Sequence, residues 1–171
     1  NRQSIGAQSF SNTQLAQLGR VHRRNETVDA VAKARHAGFS NLNLDIMWGL
    51  PGQSVEGALY DLQQAIDLEP KHISWYQLTI EPKTEFAGRP PILPVDTLLQ
   101  EIEQAGLALL ADAGFQRYEV SAFSQPGHQC QHNLIYWSFG DYLGIGAGAH
   151  GKISQKDAIY RTQRPSQPRL Y

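Results

Sequence analysis

The sequence of 171 residues contains only one cysteine, Cys130. A single thiol excludes an internal disulfide framework, and it excludes an all-cysteine metal cage built by this chain alone. Proteins without disulfides are typical of reducing compartments. We therefore expect the protein to be cytoplasmic.

Long apolar runs and charges of one sign are also scarce. The longest apolar run is LALLA at 107–111, far short of the roughly 18 residues that a membrane-spanning helix needs. Charged residues make up 18% of the chain, and 15 basic against 16 acidic side chains give a net charge of −1. This balance offers no broad positive surface to nucleic acid or to an anionic membrane. We expect neither a membrane span nor a nucleic-acid partner.

The chain does have a regular alternation of strand and helix patterns. Its hydrophobic content of 41% is enough for one sizeable core. Strand patterns lie at 3–10, 41–48, 72–80 and 116–123, and helix patterns lie at 26–37, after the capping residue Ser54, and at 96–113. This order predicts βα units around a parallel sheet.

Each of these strand patterns is polar on one side. The polar pairs, at alternate positions, are Gly6 and Gln8, Asn43 and Asp45, Gln77 and Thr79, and Glu119 and Ser121. Parallel strands covered on both faces are instead nearly continuous apolar runs. The pattern therefore predicts helices over the apolar faces and a shared cavity lined by the polar faces, near the carboxyl ends of the strands. The alternative is a polar core whose groups bond only to one another.

Two charged residues are suited to a small polar ligand. Arg20 follows Gly19 just before the first helix pattern, and its guanidinium is suited to clamping a carboxylate with two hydrogen bonds. Asp45, near Gln8, is suited to hydroxyl groups. The alternative for Arg20 is an ordinary surface arginine.

The segment CQHNLIYW at 130–137 allows several interpretations. Cys130 and His132 stand two positions apart, a spacing that defines no geometry for a nucleophile and its base. His132 and His150 are weak evidence for zinc without a carboxylate or thiolate at ligand spacing. Either imidazole could serve as an axial haem ligand, with Tyr136 and Trp137 offering flat surfaces to a porphyrin. The alternative for these aromatic residues is core packing.

The stretch GAGAHG at 146–151 matches G-x-G-x-x-G, but its context does not favour a dinucleotide site. That site needs an early strand before the motif and a helix after it. Here the motif is late, no apolar helix pattern follows, and Pro165 and Pro168 occupy the region of the next strand. The glycines still indicate a close approach of the backbone to a ligand or to another strand.

Several motifs together resemble one known family. In order they are SIGAQSF with LGR, NLDIMWGLPGQS, YQLTIEPKTEF, RPP, HNLIYW and FGDYLGIGAGAHGK. They are similar to the middle part of radical S-adenosylmethionine proteins of the oxygen-independent coproporphyrinogen III oxidase family. The pair HNxxYW and GIGAGAHG resembles its HemW-like, haem-chaperone branch. The resemblance covers residues 1 to about 155 and implies an α/β fold, a partial (βα) barrel of the radical S-adenosylmethionine type.

The resemblance also implies the binding residues. Those matching S-adenosylmethionine contacts are Gln8, Arg20, Asp45, Thr79, Ala149 and His150. Those matching the motif implicated in haem handling are His132, Asn133, Tyr136 and Trp137. It implies Arg20 on the methionine carboxylate, Asp45 on the ribose hydroxyls and Gln8 as a polar anchor.

The chain departs from the family at one essential point. The family carries a C-x-x-x-C-x-x-C loop whose thiolates hold a [4Fe–4S] cluster, and no such loop occurs here. We therefore expect an internal fragment that supplies no cluster ligands and is inactive alone. In this interpretation residues 1–155 are the C-terminal portion of the barrel. Residues 156–171 are a polar, proline-containing tail that leads toward a missing C-terminal domain.

The expected function of the parent protein is to bind haem and deliver it to acceptor proteins, with S-adenosylmethionine and the cluster bound. One alternative is an oxygen-independent coproporphyrinogen III oxidase, which performs radical oxidative decarboxylation in porphyrin biosynthesis. The other is an unrelated (βα)-barrel enzyme that binds a polar metabolite.

Overall fold

The structure is a computed structural model and describes residues 2–170. The chain divides into two compact units, the first ending at Gln129 and the second beginning at Cys130. The boundary expected at residue 155 falls inside the second unit. The described residues contain no helix long and apolar enough to cross a membrane.

The first unit is an α/β structure in which helices alternate with the strands of one sheet. Its strands are β1 (Gln3–Gln8), β2 (Leu42–Trp48), β3 (His72–Gln77), β4 (Gln116–Glu119) and β5 (Ala122–Ser124). Its helices are α1 (Asn12–Gln17), α2 (Arg24–His36), α3 (Val55–Asp67), α4 (Glu85–Gly88) and α5 (Asp96–Asp112). The three predicted helices are confirmed as α2, α3 and α5, whereas the short α1 and α4 were not predicted.

The strands lie in the order β1-β2-β3-β5-β4 across the sheet. β1, β2 and β3 are parallel, which confirms the predicted βα units in this part of the chain. The prediction of one continuous strand over 116–123 is wrong. The chain turns at Val120 and Ser121 and returns as β5, which is antiparallel to both β4 and β3. β1 and β4 therefore form the two edges of the sheet.

A stripe of apolar side chains attaches α3 to the sheet. The hydroxyl of Ser54 caps its first turn, as predicted, by accepting a hydrogen bond of 3.2 Å from the backbone N–H of Gly57. Ala58, Leu62 and Ala65 follow at helical spacing and are buried. Full burial of a leucine side chain such as that of Leu62 stabilises the fold by about 1.5–3 kcal/mol.

The helix α5 approaches the sheet closely at Gly106. A Cβ atom built on Gly106 would lie 2.1 Å from Cη2 of Trp75, so only a hydrogen atom fits there. The indole of Trp75 stacks on that of Trp48, with ring centroids 5.1 Å apart. The buried core between sheet and helices also includes Leu42, Leu44, Ile46, Leu62, Ile73, Ile102, Leu110 and Phe123.

The face of the sheet away from this core is polar only in part. Met47 shares the face of Asn43 and Asp45 by strand alternation. It packs with Leu50 and Leu78 in a second, smaller cluster of buried residues. The sequence predicted a polar surface throughout, and this apolar cluster beyond the middle of β2 is a correction.

The second unit contains a short helix and a hairpin. They are α6 (Gln131–Trp137), β6 (His150–Ser154) and β7 (Ile159–Gln163), followed by a 3₁₀ turn (Pro168–Leu170). β6 and β7 are antiparallel, with His150 opposite Gln163 and Ser154 opposite Ile159. The segment 130–137 is therefore mainly helical, and the segment 156–171, expected to be a polar tail, includes β7.

Candidate functional site

Strand register decides which side chains share a face with Asp45. Asp45 lies opposite Ser74 on β3, and two positions earlier Asn43 lies opposite His72. By alternation, Tyr76 shares this face as well. Gln77 pairs with Trp48 and lies on the opposite face. The prediction that Gln77 shares the face of Asp45 is therefore wrong. The alternation on β3 is displaced by one residue from the predicted one.

Three side chains on β1 and β2 form a closed triangle of hydrogen bonds. The amide nitrogen Nδ2 of Asn43 donates to Oγ of Ser4 at 2.7 Å and to Oδ1 of Asp45 at 2.8 Å. The hydroxyl of Ser4 in turn donates to Oδ2 of Asp45 at 3.0 Å. Each oxygen of the Asp45 carboxylate thus accepts one hydrogen bond from the protein. Each keeps further acceptor capacity, because a carboxylate offers about four lone-pair sites.

The triangle continues across the sheet through His72. Oδ1 of Asn43 lies 2.6 Å from Nδ1 of His72 and accepts a bond of 3.1 Å from Oγ of Ser74. On the far side of the ring, Nε2 of His72 lies 2.6 Å from the hydroxyl of Tyr118. A continuous chain of hydrogen bonds therefore runs from β4 to the Asp45 carboxylate on β2.

The hydrogen-bonding neighbours of His72 determine which ring nitrogen carries the proton. Asn43 turns its Nδ2 toward the carboxylate of Asp45, so its Oδ1 faces His72 and Nδ1 of the ring must donate. Burial, followed by the positive charge of Arg2, lowers the pKa of His72 from its ordinary 6.5 to about 4. The ring is therefore neutral near pH 7, and its Nε2 accepts the proton of the Tyr118 hydroxyl in a hydrogen bond.

Gln8 occupies a special backbone position at the end of β1. Its φ is 64°, in the left-handed region, and the register with β2 shifts between Gly6 and Gln8. A Cβ atom on Gly6 would lie 2.7 Å from Nε2 of Gln8, so the glycine leaves room for the amide to fold over it. Oε1 of Gln8 accepts a hydrogen bond of 2.6 Å from the hydroxyl of Tyr76.

The phenol of Tyr76 lies on the face of the sheet that carries Asp45, and it is hydrogen-bonded to Gln8. Burial and then the negative charge of Asp45 raise the pKa of Tyr76, while the positive charge of Arg20 and the bond to Gln8 oppose that rise. The structure thus brings Gln8 to the face of Asp45. Arg20 is exposed, and its place in a ligand site stays a prediction.

A buried carboxylate holds the chain immediately after Gln8. Asp61 on α3 is 1% exposed and accepts bonds of 2.7 Å from the hydroxyl of Ser9 and from the backbone N–H of Phe10. Burial raises the pKa of Asp61, and these hydrogen bonds oppose the rise. The contacts tie the exit of β1, and with it the position of Gln8, to the helical layer.

Two other predicted positions of the first unit stand outside this network. Thr79 is exposed beyond the end of β3, and its hydroxyl donates to Oε1 of Glu81 at 3.0 Å. Oε2 of Glu119 accepts a bond of 3.4 Å from the backbone N–H of Ser121, within the β4–β5 hairpin. Glu119 therefore stabilises the turn of its own hairpin. A continuous strand over 116–123 would not contain this contact.

The sequence interpretation missed four polar members of the network: Ser4, His72, Ser74 and Tyr118. A signal for two of them was present, because 72, 74 and 76 alternate in phase. That phase was discarded since Tyr76 was counted as apolar. No local pattern indicated that Tyr118 would meet His72 across β5.

In the second unit, the predicted haem residues lie on one short helix. His132 and Tyr136 are one turn apart on α6, with ring centroids 4.9 Å apart and nearly perpendicular planes. The ring of Tyr136 also lies 4.8 Å from that of Tyr142. His132 is exposed, Trp137 is 67% exposed, and Asn133 on the same helix is half-buried. Trp137 therefore does not belong to the core formed by the described residues, and the haem role of α6 stays a prediction.

A buried lysine, Lys152, fixes the turn at 139–141, which follows α6 in the sequence. Nζ of Lys152 donates to the carbonyl of Phe139 at 2.8 Å and to Oδ1 of Asp141 at 3.0 Å, and it lies 3.9 Å from the Phe139 ring centroid. The backbone N–H of Ser154, the contact with Lys152 and the Ser154 hydroxyl lower the pKa of Asp141 to about 2. This salt bridge holds the turn between α6 and β6.

The glycine-rich stretch leads into a strand. Gly146 and Gly148 have φ values of 100° and 74°, and the carbonyl of Ala149 accepts a bond of 2.8 Å from the N–H of Arg164. His150 then begins β6 with an exposed side chain. A strand after the motif, in place of a helix, rules out the dinucleotide-site geometry. The glycines instead allow backbone segments to pair closely.

Within residues 2–170 no group of three histidine, cysteine or acidic side chains is arranged to hold a metal ion.

Comparison with known proteins gives the family context. No family model matches the chain. The haem chaperone HemW of Escherichia coli K12 is 56% identical over 170 residues, covering 99% of this chain and 45% of that protein. HemW of Bacillus subtilis is 39% identical over 160 residues, covering 90% of this chain and 41% of the protein. The resemblance to the HemW haem chaperones is confirmed. The chain spans less than half the length of these HemW proteins.

Two further comparisons extend this result. The mouse mitochondrial radical S-adenosyl methionine domain-containing protein 1 is 43% identical over 158 residues, which are 90% of this chain and 36% of that protein. Among solved structures, the coproporphyrinogen III oxidase HemN of E. coli, a radical S-adenosylmethionine enzyme, matches with a TM-score of 0.77. That match covers 100% of this chain and 42% of HemN at 23% identity. It confirms the predicted fold class, an α/β partial barrel of the radical S-adenosylmethionine type.

Proposed function

We propose that this chain is part of a HemW-like haem chaperone, which binds haem and delivers it to acceptor proteins in the cytoplasm. The observation that carries the proposal is the 56% identity to E. coli HemW, which extends over 99% of the chain and so includes both units. In the full-length protein, S-adenosylmethionine and a [4Fe–4S] cluster would be bound as well.

The sheet face of the first unit fits S-adenosylmethionine. Arg20 supplies a cation for the methionine carboxylate, and Gln8 supplies a buried amide beside the Tyr76 hydroxyl. Asp45 offers each carboxylate oxygen to the ribose hydroxyls. Beside a cluster, S-adenosylmethionine supplies an adenosyl group for radical chemistry. The residues of this chain bind and orient the molecule.

The cluster does not fit the residues of this chain. Three thiolates hold it in the family, whereas the chain contains one cysteine and the described residues contain no three-ligand group. Its ligands would come from residues outside this sequence. Thr79, Ala149 and His150 remain proposed contacts of S-adenosylmethionine by resemblance alone.

The helix α6 fits haem as cargo. The exposed imidazole of His132 is suited to the iron, and the exposed rings of Tyr136 and Trp137 offer flat surfaces to the porphyrin. Asn133 lies between His132 and Tyr136 in the sequence and supplies a polar group for a haem propionate. An exposed site favours a protein that takes up and hands over haem.

A haem titration of the full-length protein tests this proposal. We expect a Soret band at one haem per protein, weakened by His132→Ala and unchanged by His36→Ala, which removes an exposed histidine from α2. Loss of the band in His150→Ala, with His132→Ala unaffected, would move the iron ligand to His150. A second arm adds a haem-free acceptor protein and follows transfer of the Soret band to it.

The same preparation tests the alternative within the family. Anaerobic turnover of coproporphyrinogen III by the cluster-loaded protein would replace the chaperone proposal with an oxidase. The similarity to HemN carries no argument for that activity, because at 23% identity it shows the fold alone.

A further inference from the structure

The carboxylate of Asp45 is held at both of its oxygens by neighbouring side chains. Both of its oxygens accept hydrogen bonds from neighbouring side chains, Asn43 on its own strand and Ser4 on β1. Two such contacts on opposite oxygens fix the plane of the carboxylate. The remaining acceptor capacity is then one directed position on each oxygen, which matches the two hydroxyls of a vicinal diol.

Asn43 can hold this arrangement only because its own amide is fully occupied. Its Nδ2 donates to Ser4 and Asp45, and its Oδ1 accepts from Ser74 and His72. The side chain is 5% exposed, so solvent does not compete for these bonds. A flipped amide would place Oδ1 against the Asp45 carboxylate and Nδ2 against two donors. The donor at His72 and the Asn43 orientation that serves Asp45 therefore require each other.

Tyr118 is the hydrogen-bonding partner on the other nitrogen of the His72 ring. The ring is 3% exposed and has one hydrogen-bonding partner on each nitrogen. When the Tyr118 hydroxyl donates to Nε2, the proton of the neutral ring stays on Nδ1, facing Asn43. Protonation would make both nitrogens donors and displace the Tyr118 proton from its acceptor. The hydrogen bonds of Tyr118, His72, Asn43 and Asp45 are thus satisfied together in one common arrangement.

We propose that Tyr118, His72 and Asn43 are positioning residues that act through Asp45, fixing its carboxylate to receive the two ribose hydroxyls of an adenosyl ligand. This inference rests on the S-adenosylmethionine site of the proposed function and adds residues to which the resemblance assigned no role. None of the three needs to touch the ligand. Buried hydrogen-bonded partners commonly orient binding groups in this way.

The test uses the full-length, cluster-loaded protein and calorimetric titration with S-adenosylhomocysteine and its 2′-deoxy analogue. We expect the protein to prefer the intact diol by about tenfold, since the analogue leaves a charged acceptor without its donor. His72→Phe keeps the ring volume and removes both hydrogen bonds. It should reduce the preference to about twofold and weaken binding of the intact ligand about fivefold.

A double-mutant cycle separates positioning from general stability. In an Asp45→Ala background, His72→Phe should weaken binding no further, because the group through which it acts is gone. Leu110→Ala is the control for lost stability, since it opens a cavity on the helical side of the sheet and leaves the Asp45 network intact. It should lower the melting temperature while keeping the tenfold diol preference.

Tyr118→Phe provides a second, milder variant in case His72→Phe does not fold. It removes one hydroxyl from a half-buried side chain, and we expect the preference for the intact diol to decrease by a factor of about three. If both variants keep the full preference, or if His72→Phe acts additively with Asp45→Ala, the positioning proposal is overturned. If Asp45→Ala itself binds S-adenosylhomocysteine as well as the unaltered protein, the S-adenosylmethionine site fails instead.

Discussion

The hydroxyl of Tyr76 donates a hydrogen bond of 2.6 Å to the side-chain carbonyl of Gln8. The bond spans β2, because Gln8 ends β1 and Tyr76 lies on β3. It fixes the amide of Gln8 with its Oε1 toward the phenol and its Nε2 over Gly6. A single hydroxyl thus determines the orientation of the Gln8 amide.

The first prediction concerns this hydroxyl. Tyr76→Phe in the full-length protein should weaken S-adenosylhomocysteine binding about threefold, because Gln8 loses the bond that orients its amide. The free energy of unfolding should fall by about 1 kcal/mol. Calorimetric titration and urea unfolding measure the two quantities. Tyr60→Phe, on a tyrosine of α3 that is 46% exposed, is the matched control and should change neither.

The second prediction separates binding from folding at Gly6. In Gly6→Ala, the added methyl group would lie 2.7 Å from Nε2 of Gln8, which is the flexible end of that side chain. The amide should swing away at a stability cost of about 1 kcal/mol or less, whereas affinity for S-adenosylhomocysteine should fall about tenfold. Gly88→Ala, where a Cβ meets no atom within 4 Å, is the control. Equal affinities of the two variants would contradict this role of Gly6.

The third prediction concerns the buried carboxylate of Asp61. Asp61→Ala leaves the O–H donor of Ser9 and the N–H donor of Phe10 without their acceptor in the interior. We expect the free energy of unfolding to drop by about 2–6 kcal/mol, since two donors lose their acceptor and each unsatisfied buried group costs about 1–3 kcal/mol. Urea unfolding measures the loss. Asp67→Ala changes an exposed aspartate of the same helix, and a similar loss there would show that burial is not the cause.

The fourth prediction is a dependence of stability on pH. The pKa of His72 is 6.5 in an unfolded chain and about 4 in the folded one. Between these values the unfolded state binds a proton that the folded state does not bind, so stability falls as the pH falls from 6.5 to 4. The contribution is roughly 3 kcal/mol across the window. Urea unfolding at several pH values should show it, and His72→Phe should remove this part of the slope.

Strand alternation predicted part of the site correctly. Asn43 and Asp45 were assigned to one face of β2 and do share it, since every neighbour on that strand is clearly apolar or clearly polar. On β3 the same reasoning chose the wrong phase. His72 and Tyr76 present hydrogen-bonding tips on largely aromatic side chains, so polarity by residue type cannot tell which end faces the cavity. The register with β2 settles the phase, and register is a property of two strands.

The hairpin β4–β5 and the helix α6 were missed for local reasons. The hairpin turns at Val120 and Ser121, where a serine is the only turn-forming residue and the stronger signals, glycine, proline, asparagine and aspartate, do not occur. The helix α6 is only Gln131–Trp137, too short for an apolar stripe to repeat. In both cases contacts made elsewhere in the fold, and not propensity, determine the structure.

The close approach at Gly106 links the identities of two residues that are far apart in the sequence. Because a Cβ there would overlap the Trp75 ring, a larger residue at 106 is compatible with this packing only if the ring at 75 becomes smaller. The Trp75 ring in turn supports Trp48 by stacking. Exchange at position 106 therefore requires a coordinated change at Trp75, which would also remove the ring on which Trp48 stacks, and the separation between helix and sheet here is fixed by a single hydrogen atom.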